Sequence, residues 1–134
     1  MDTSQSVLVV DDFRSMTTIL RKLLNGLGFA DVDHVLDGNA ALESLRAKRH
    51  KLVISDWEMQ PMSGPQLVQA IRKMPALAGT RIILVTVYQS RQDESKSVGA
   101  DGYLVKPFTA NVLRDKLDQI LSVSAIQQRP IDVQ

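Results

Sequence analysis

The sequence predicts an α/β fold: a doubly wound, five-stranded parallel sheet with helices on both faces. Three observations carry this. Short apolar runs rich in β-branched residues alternate with segments of helical period. Five such strand–helix pairs follow one another within about 120 residues, a spacing that implies parallel strands joined by helical crossovers. The apolar runs are also continuous, whereas a strand with one face in water would alternate apolar and polar residues.

The first run is Val7–Val10. The segment after it sets Met16, Ile19, Leu20, Leu23, Leu24 and Leu27 on one helical face, with Gly26 and Gly28 marking its end. Residues 32–36 form a weaker strand. Ala41, Leu42 and Leu45 give the second helix its stripe, which ends in the basic stretch 46–51. This stretch reads as a solvated helix end whose positive charge complements the helix dipole. Residues 52–54 form the third strand. Pro65 suits a first helical turn, followed by Leu67, Val68, Ile71 and Met74 at helical spacing. Residues 81–87 form the fourth strand and 89–99 a helix poor in apolar residues, with Val98 its main anchor. Gly102–Val105 is the fifth strand, and Thr109 caps a last helix carrying Leu113, Leu117, Ile120 and Leu121 inward. The expected strand order is 2-1-3-4-5. One domain is expected over residues 1–122. Residues 123–134, which include Pro130, are expected to form a frayed polar tail with no output domain.

Composition narrows the function classes. With 134 residues, 44% hydrophobic and 23% charged, the chain reads as one ordinary globular domain. A net charge of +1 gives no general pull toward nucleic acid or an anionic membrane. The basic stretch has no aromatic residues interleaved, so nucleic acid is not an expected partner. The chain has no cysteine, which removes disulfides, thiol catalysis and Cys-based zinc sites and suits a reducing cytoplasm. Residues 1–6 lack the basic-then-apolar layout of a signal peptide. No apolar stretch approaches the roughly 20 residues that span a bilayer, so no membrane partner is expected. His34 and His50 lack partners at metal-ligand spacing and read as surface or structural residues. Met59 and Met62 read as loop packing.

Open α/β sheets bind ligands at the carboxyl ends of their strands, where the strand order reverses. The polar residues stand at those ends: Asp11 and Asp12 after strand one, Asp56 after strand three, Thr86 ending strand four and Lys106 after strand five. Singly, each has a bland explanation as a cap, a turn residue or a solvated lysine. Together they bring three carboxylates and an ammonium to one rim. Carboxylates so placed repel one another, and a hard divalent cation such as Mg²⁺ relieves that repulsion. With Lys106 adding positive charge, the site suits transfer of a phosphoryl group to Asp56, a reaction governed by positioning and charge stabilisation.

The segments Val9-Val10-Asp11-Asp12-Phe13, Ser55-Asp56-Trp57-Glu58-Met59, Val85-Thr86 and Gly102-Tyr103-Leu104-Val105-Lys106-Pro107-Phe108 resemble the receiver domains of bacterial two-component response regulators. The likeness is greatest to the stand-alone chemotaxis (CheY-like) type, which has a flavodoxin-like fold of this strand order. It implies Asp56 as phosphoacceptor, Asp12 as a direct Mg²⁺ ligand and Asp11 as a ligand acting largely through water. It also implies the backbone carbonyl of Glu58 as a ligand, Thr86 and Tyr103 as a switch pair, and a cis Lys106–Pro107 bond. The partners implied are a histidine kinase as phosphodonor and a downstream protein, which could be a motor switch, a phosphotransfer protein or a kinase. The chain is expected to be a cytoplasmic monomer or weak dimer, and a signalling domain rather than an enzyme. An aspartyl-phosphate phosphatase, the enzymatic rival, usually carries its acidic pair after the first strand. Departures from the family pattern are Gln60 where proline is usual, with Pro61 next, Val87 where a smaller residue is usual, and about two residues fewer between Thr86 and Tyr103. The residues two beyond Asp56 and Thr86, which flank the path of attacking water in such receivers, are Glu58 and Tyr88.

Overall fold

The computed structural model describes residues 1–127, with side chains through Leu121. Its elements follow the expected alternation: β1 (Val7–Val10), α1 (Arg14–Gly26), β2 (Val32–Val35), α2 (Gly38–Ala47), β3 (Leu52–Asp56), α3 (Gly64–Arg72), β4 (Arg81–Thr86), α4 (Gln92–Ser97), β5 (Gly102–Val105) and α5 (Ala110–Gln127). The five strands form one sheet of order β2-β1-β3-β4-β5, and every neighbouring pair is parallel.

The continuous apolar runs are explained by two cores, one on each face. Because side chains alternate along a strand, Val7 and Val9 join Leu20, Leu24, Leu113, Leu117 and Ile120 under α1 and α5. Leu8 and Val10 join Ala41, Leu45, Leu67, Val68 and Ile71 under α2 and α3. All four β1 residues are fully buried, so neither face of this interior strand could carry a polar side chain without cost.

Local chemistry sets the element ends. At the end of α1 the chain turns at Gly28, whose φ of 109° is strained for any side chain. The Phe29 amide donates back to the Leu24 carbonyl at 3.0 Å. The N-terminus of α2 is capped by Asp37, which accepts from the Ala40 amide at 2.8 Å. That of α3 is fixed by a capping box between Ser63 and Gln66, with Pro65 in the first turn. Thr109 caps α5 as expected, accepting from the Val112 amide at 3.2 Å.

Several expectations need correction. Only Arg46 of the basic stretch stands in the last turn of α2; the rest lies beyond the helix. The helix stops at Ala47, and Lys48 is extended because its ammonium reaches Asp31 and Asp33 at 2.7 and 2.9 Å. His50 is buried, with Nε2 2.9 Å from Asp33, which makes it a structural residue. The helix expected over 89–99 is a 3₁₀ turn, Gln89–Arg91, followed by the short α4. With Ser95 its only buried residue, α4 has too little apolar surface to extend further. α3 ends at Arg72 ahead of a second 3₁₀ turn, Pro75–Leu77, since Pro75 cannot continue a helix. α5 runs through Gln127, past the boundary expected at 122. Residues 128–134, with Pro130, lie outside the described residues.

Candidate functional site

Strand register alone assembles the rim. Val10 pairs with Ser55, so Asp11 and Asp56 emerge side by side; Asp56 pairs with Val85, and Thr86 with Val105. Each polar residue therefore leaves the sheet within a step of its neighbour. Asp11, Asp12 and Asp56 each offer a carboxylate oxygen, all within 4.8 Å of one another. Asp11 and Asp56 are buried and Asp12 is exposed. Lys106 Nζ lies 3.0 Å from Asp56 Oδ1 and 4.0 Å from Asp11 Oδ2. Its amide donates to the Thr86 carbonyl at 2.7 Å, and the Lys106–Pro107 bond is cis. Thr86 is 1% exposed, and its hydroxyl accepts from the Tyr88 amide at 3.2 Å.

The electrostatics are those of a crowded acidic pocket. Burial pushes the Asp11 carboxyl up to about 6, helped by Asp56 and Asp12 and opposed by the Phe13 amide and Lys106. Burial also raises Asp56, while the Lys106 ammonium holds it down. Three carboxylates face one lysine, an excess of negative charge on oxygen donors. A hard divalent cation fits this donor set and would relieve the repulsion.

The response regulator receiver domain family model matches residues 7–118. The chain belongs to that family. It is 37% identical to the chemotaxis protein CheY of Pseudomonas aeruginosa, over 85% of this chain and 94% of that one. The chemotaxis response regulator CheY4 of Vibrio cholerae superimposes with a TM-score of 0.80 at 33% identity, covering 87% of this chain and 98% of that one. The response regulator TrrA of Thermotoga maritima, solved in complex with Mg²⁺ and BeF, gives 0.78 at 32% identity, with coverages of 87% and 98%. Fold and family thus agree with the sequence reading, and the chain is a receiver of the two-component, CheY-like kind.

In this receiver the remaining candidate residues form a second layer around the carboxylates. Tyr103 is half-buried against the α2/α3-side core, and its hydroxyl donates to the Gln89 carbonyl at 3.2 Å. Glu58 is ion-paired with Arg91. The Arg91 guanidinium lies 4.6 Å from the Trp57 ring centre and 4.7 Å from that of Tyr88. Val87 and Tyr88 are both exposed. Met59 is buried and Met62 packs against the same core, as loop packing would have them, and the Gln60–Pro61 bond is cis. Gly64 lies against Asp56 and Trp57: its amide donates to the Trp57 carbonyl at 2.8 Å. A Cβ there would collide with the Asp56 carbonyl and come within 2.9 Å of Leu84 and Trp57. Sequence reasoning missed Arg91 altogether. Its only signal was a lone cation in a polar segment, which says nothing about two rings and an acid brought to it by a neighbouring strand.

Proposed function

We propose that this receiver takes a phosphoryl group onto Asp56 from the phosphohistidine of a histidine kinase, or from a small phosphodonor, and signals by the change of shape that follows. The observation that carries this reading is the Lys106 ammonium 3.0 Å from an Asp56 carboxylate that shares its pocket with two further carboxylates. An Asp56 oxygen attacks phosphorus, the bond to the donor nitrogen breaks, and the electron pair leaves with the imidazole. Lys106 offsets the charge gathering on the transferred oxygens. Asp11, Asp12, Asp56 and the Glu58 backbone carbonyl would hold Mg²⁺, which when bound neutralises phosphoryl and carboxylate charge. Asp56 then carries an acyl phosphate whose oxygens compete for the Thr86 hydroxyl. Drawing Thr86 inward frees space that the Tyr103 ring fills, and this is the switch.

The protein acts as a signalling module rather than an enzyme, with slow self-dephosphorylation. Its downstream partner is a protein, and the chemotaxis relatives favour a motor switch over a phosphotransfer protein or kinase. It works in the cytoplasm as a monomer or weak dimer. Glu58 and Tyr88 set the lifetime of the acyl phosphate by walling off the attacking water. A Glu58→Asn, Tyr88→Glu double variant should lose phosphoryl group faster than wild type.

The deciding experiment exposes wild type and Asp56→Asn to acetyl phosphate and Mg²⁺ and measures covalent phosphate. One equivalent on wild type and none on the variant is expected. Equal uptake by the variant sinks the acceptor assignment, and repeated turnover of a phosphomonoester would indicate a phosphatase. Emission from Trp57, the only tryptophan, should change on Mg²⁺ binding and again with a beryllofluoride mimic.

A further inference from the structure

The arginine between two rings is the feature of this site that the proposed chemistry leaves unused. Trp57 and Glu58 follow β3, whereas Tyr88 and Arg91 follow β4. The two strands are neighbours, with Asp56 paired to Val85. Arg91 therefore spans the two loops that flank the acceptor. Its guanidinium lies against the rings of Trp57 and Tyr88 at 4.6 and 4.7 Å, and it holds the Glu58 carboxylate. An exposed ion pair alone holds weakly, and the Glu58 side chain is 51% exposed. Here the cation is planar and partly covered by two aromatic faces, its side chain 27% exposed, which favours a guanidinium over an ammonium. Tyr88 is itself fixed at its amide by the Thr86 hydroxyl, so the clamp adjoins the switch.

We propose that Arg91 is a positioning residue that clamps Glu58 and Tyr88 across the approach to Asp56 and thereby prolongs the life of the phosphoryl group. The proposal rests on the reading of Asp56 as acceptor. Loss of the group is a hydrolysis: water adds to phosphorus, the bond to the Asp56 oxygen breaks and its electron pair returns to the carboxylate. The proton from water leaves with inorganic phosphate or passes to solvent. Two things slow that step here. The Glu58 carboxylate, occupied by Arg91, is withheld from orienting the water. The Tyr88 ring, pinned on the guanidinium, stays as a wall. Freeing Arg91 releases both.

The test follows decay of phosphorylated protein in Mg²⁺ for wild type, Arg91→Ala, Arg91→Lys, Glu58→Ala and the Arg91→Ala, Glu58→Ala double variant. Arg91→Ala should decay about tenfold faster than wild type, a loss the size of one positioning contact. Arg91→Lys should fall between them, since it keeps the charge and loses the stacking. In the Glu58→Ala background the same Arg91→Ala change should accelerate decay by less than about threefold, because the acid it would release is gone. A merely structural role would accelerate decay equally in both backgrounds, and that result overturns the clamp. Decay of Arg91→Ala within about twofold of wild type overturns it as well. If wild type carries no phosphate on Asp56, the acceptor reading fails and the clamp with it, a result separate from the other two.

Discussion

Replacing Asp11 with asparagine should stabilise the metal-free protein at neutral pH and abolish its stabilisation by Mg²⁺. Asp11 is 1% exposed, and its carboxyl is raised from an ordinary 3.8 to about 6, mainly by burial. A raised acid binds its proton more tightly in the folded state. Between those two values the folded protein holds more protons than the unfolded chain, and stability falls as pH rises through the window. Above it, ionised Asp11 costs on the order of 2 to 3 kcal/mol, from a shift of roughly two units at 1.36 kcal/mol each. Asparagine keeps the oxygen that accepts from the Phe13 amide at 3.0 Å and carries no charge. Its own cost is a mismatched amide group turned toward Lys106. A net gain of about 2 kcal/mol corresponds to a rise of roughly 5–10 °C in Tm for a domain of this size. The assay is thermal unfolding in EDTA at pH 4 and pH 7.5, repeated at pH 7.5 with Mg²⁺. Asp11→Asn should melt well above wild type at pH 7.5 and close to it at pH 4, where the wild-type carboxyl is already protonated when folded. Mg²⁺ should raise wild type and leave the variant nearly unmoved. Equal melting at pH 7.5 in EDTA, or a gain as large at pH 4, refutes the reasoning.

Three further changes probe neighbouring parts. Gly64→Ala, which drives a Cβ into the Asp56 carbonyl, should destabilise the fold by roughly 2–4 kcal/mol in urea unfolding and slow phosphorylation at whatever temperature the protein stays folded. Lys106→Met removes the cation 3.0 Å from Asp56; uptake from acetyl phosphate should fall about tenfold or more, and Mg²⁺ titration of Trp57 emission should show that the metal still binds. Thr86→Ala should still be phosphorylated but should lose most of the amide-exchange response across residues 87–106, since the charge arrives without its reader. A wild-type exchange response in that variant would rule out the coupling.

The sheet was legible in the sequence because a fully buried parallel strand must be apolar on both faces, and β1, β3 and β4 are. The acidic cluster was legible for a related reason. In such a sheet, polar residues just past the strand ends have one rim to occupy, and register brings Asp11 to Asp56 without further specification. What escaped was set by contacts between residues distant in sequence. Lys48 resembled a helix-end cation until Asp31 and Asp33, at the start of β2 on the far side of α2 in sequence, drew it away. Arg91 resembled a solvated residue until β3 supplied Trp57 and Glu58. The short α4 escaped because weak periodicity does not reveal where a helix stops, only that little holds it.

The helices that follow the two functional strands are anchored very differently. After β3, α3 starts in a reciprocal cap with a proline and buries Gly64, Leu67, Val68 and Ile71. After β4, α4 has no side-chain cap at its start and buries Ser95 alone. Substitutions on the outward face of α4 therefore remove nothing from either core, while similar changes inward on α3 would cost the fold itself. A lineage carrying this protein has wide latitude to rewrite α4 and little to alter α3. New recognition preferences can be tried on α4 while the carboxylates at the rim of the sheet stay in place.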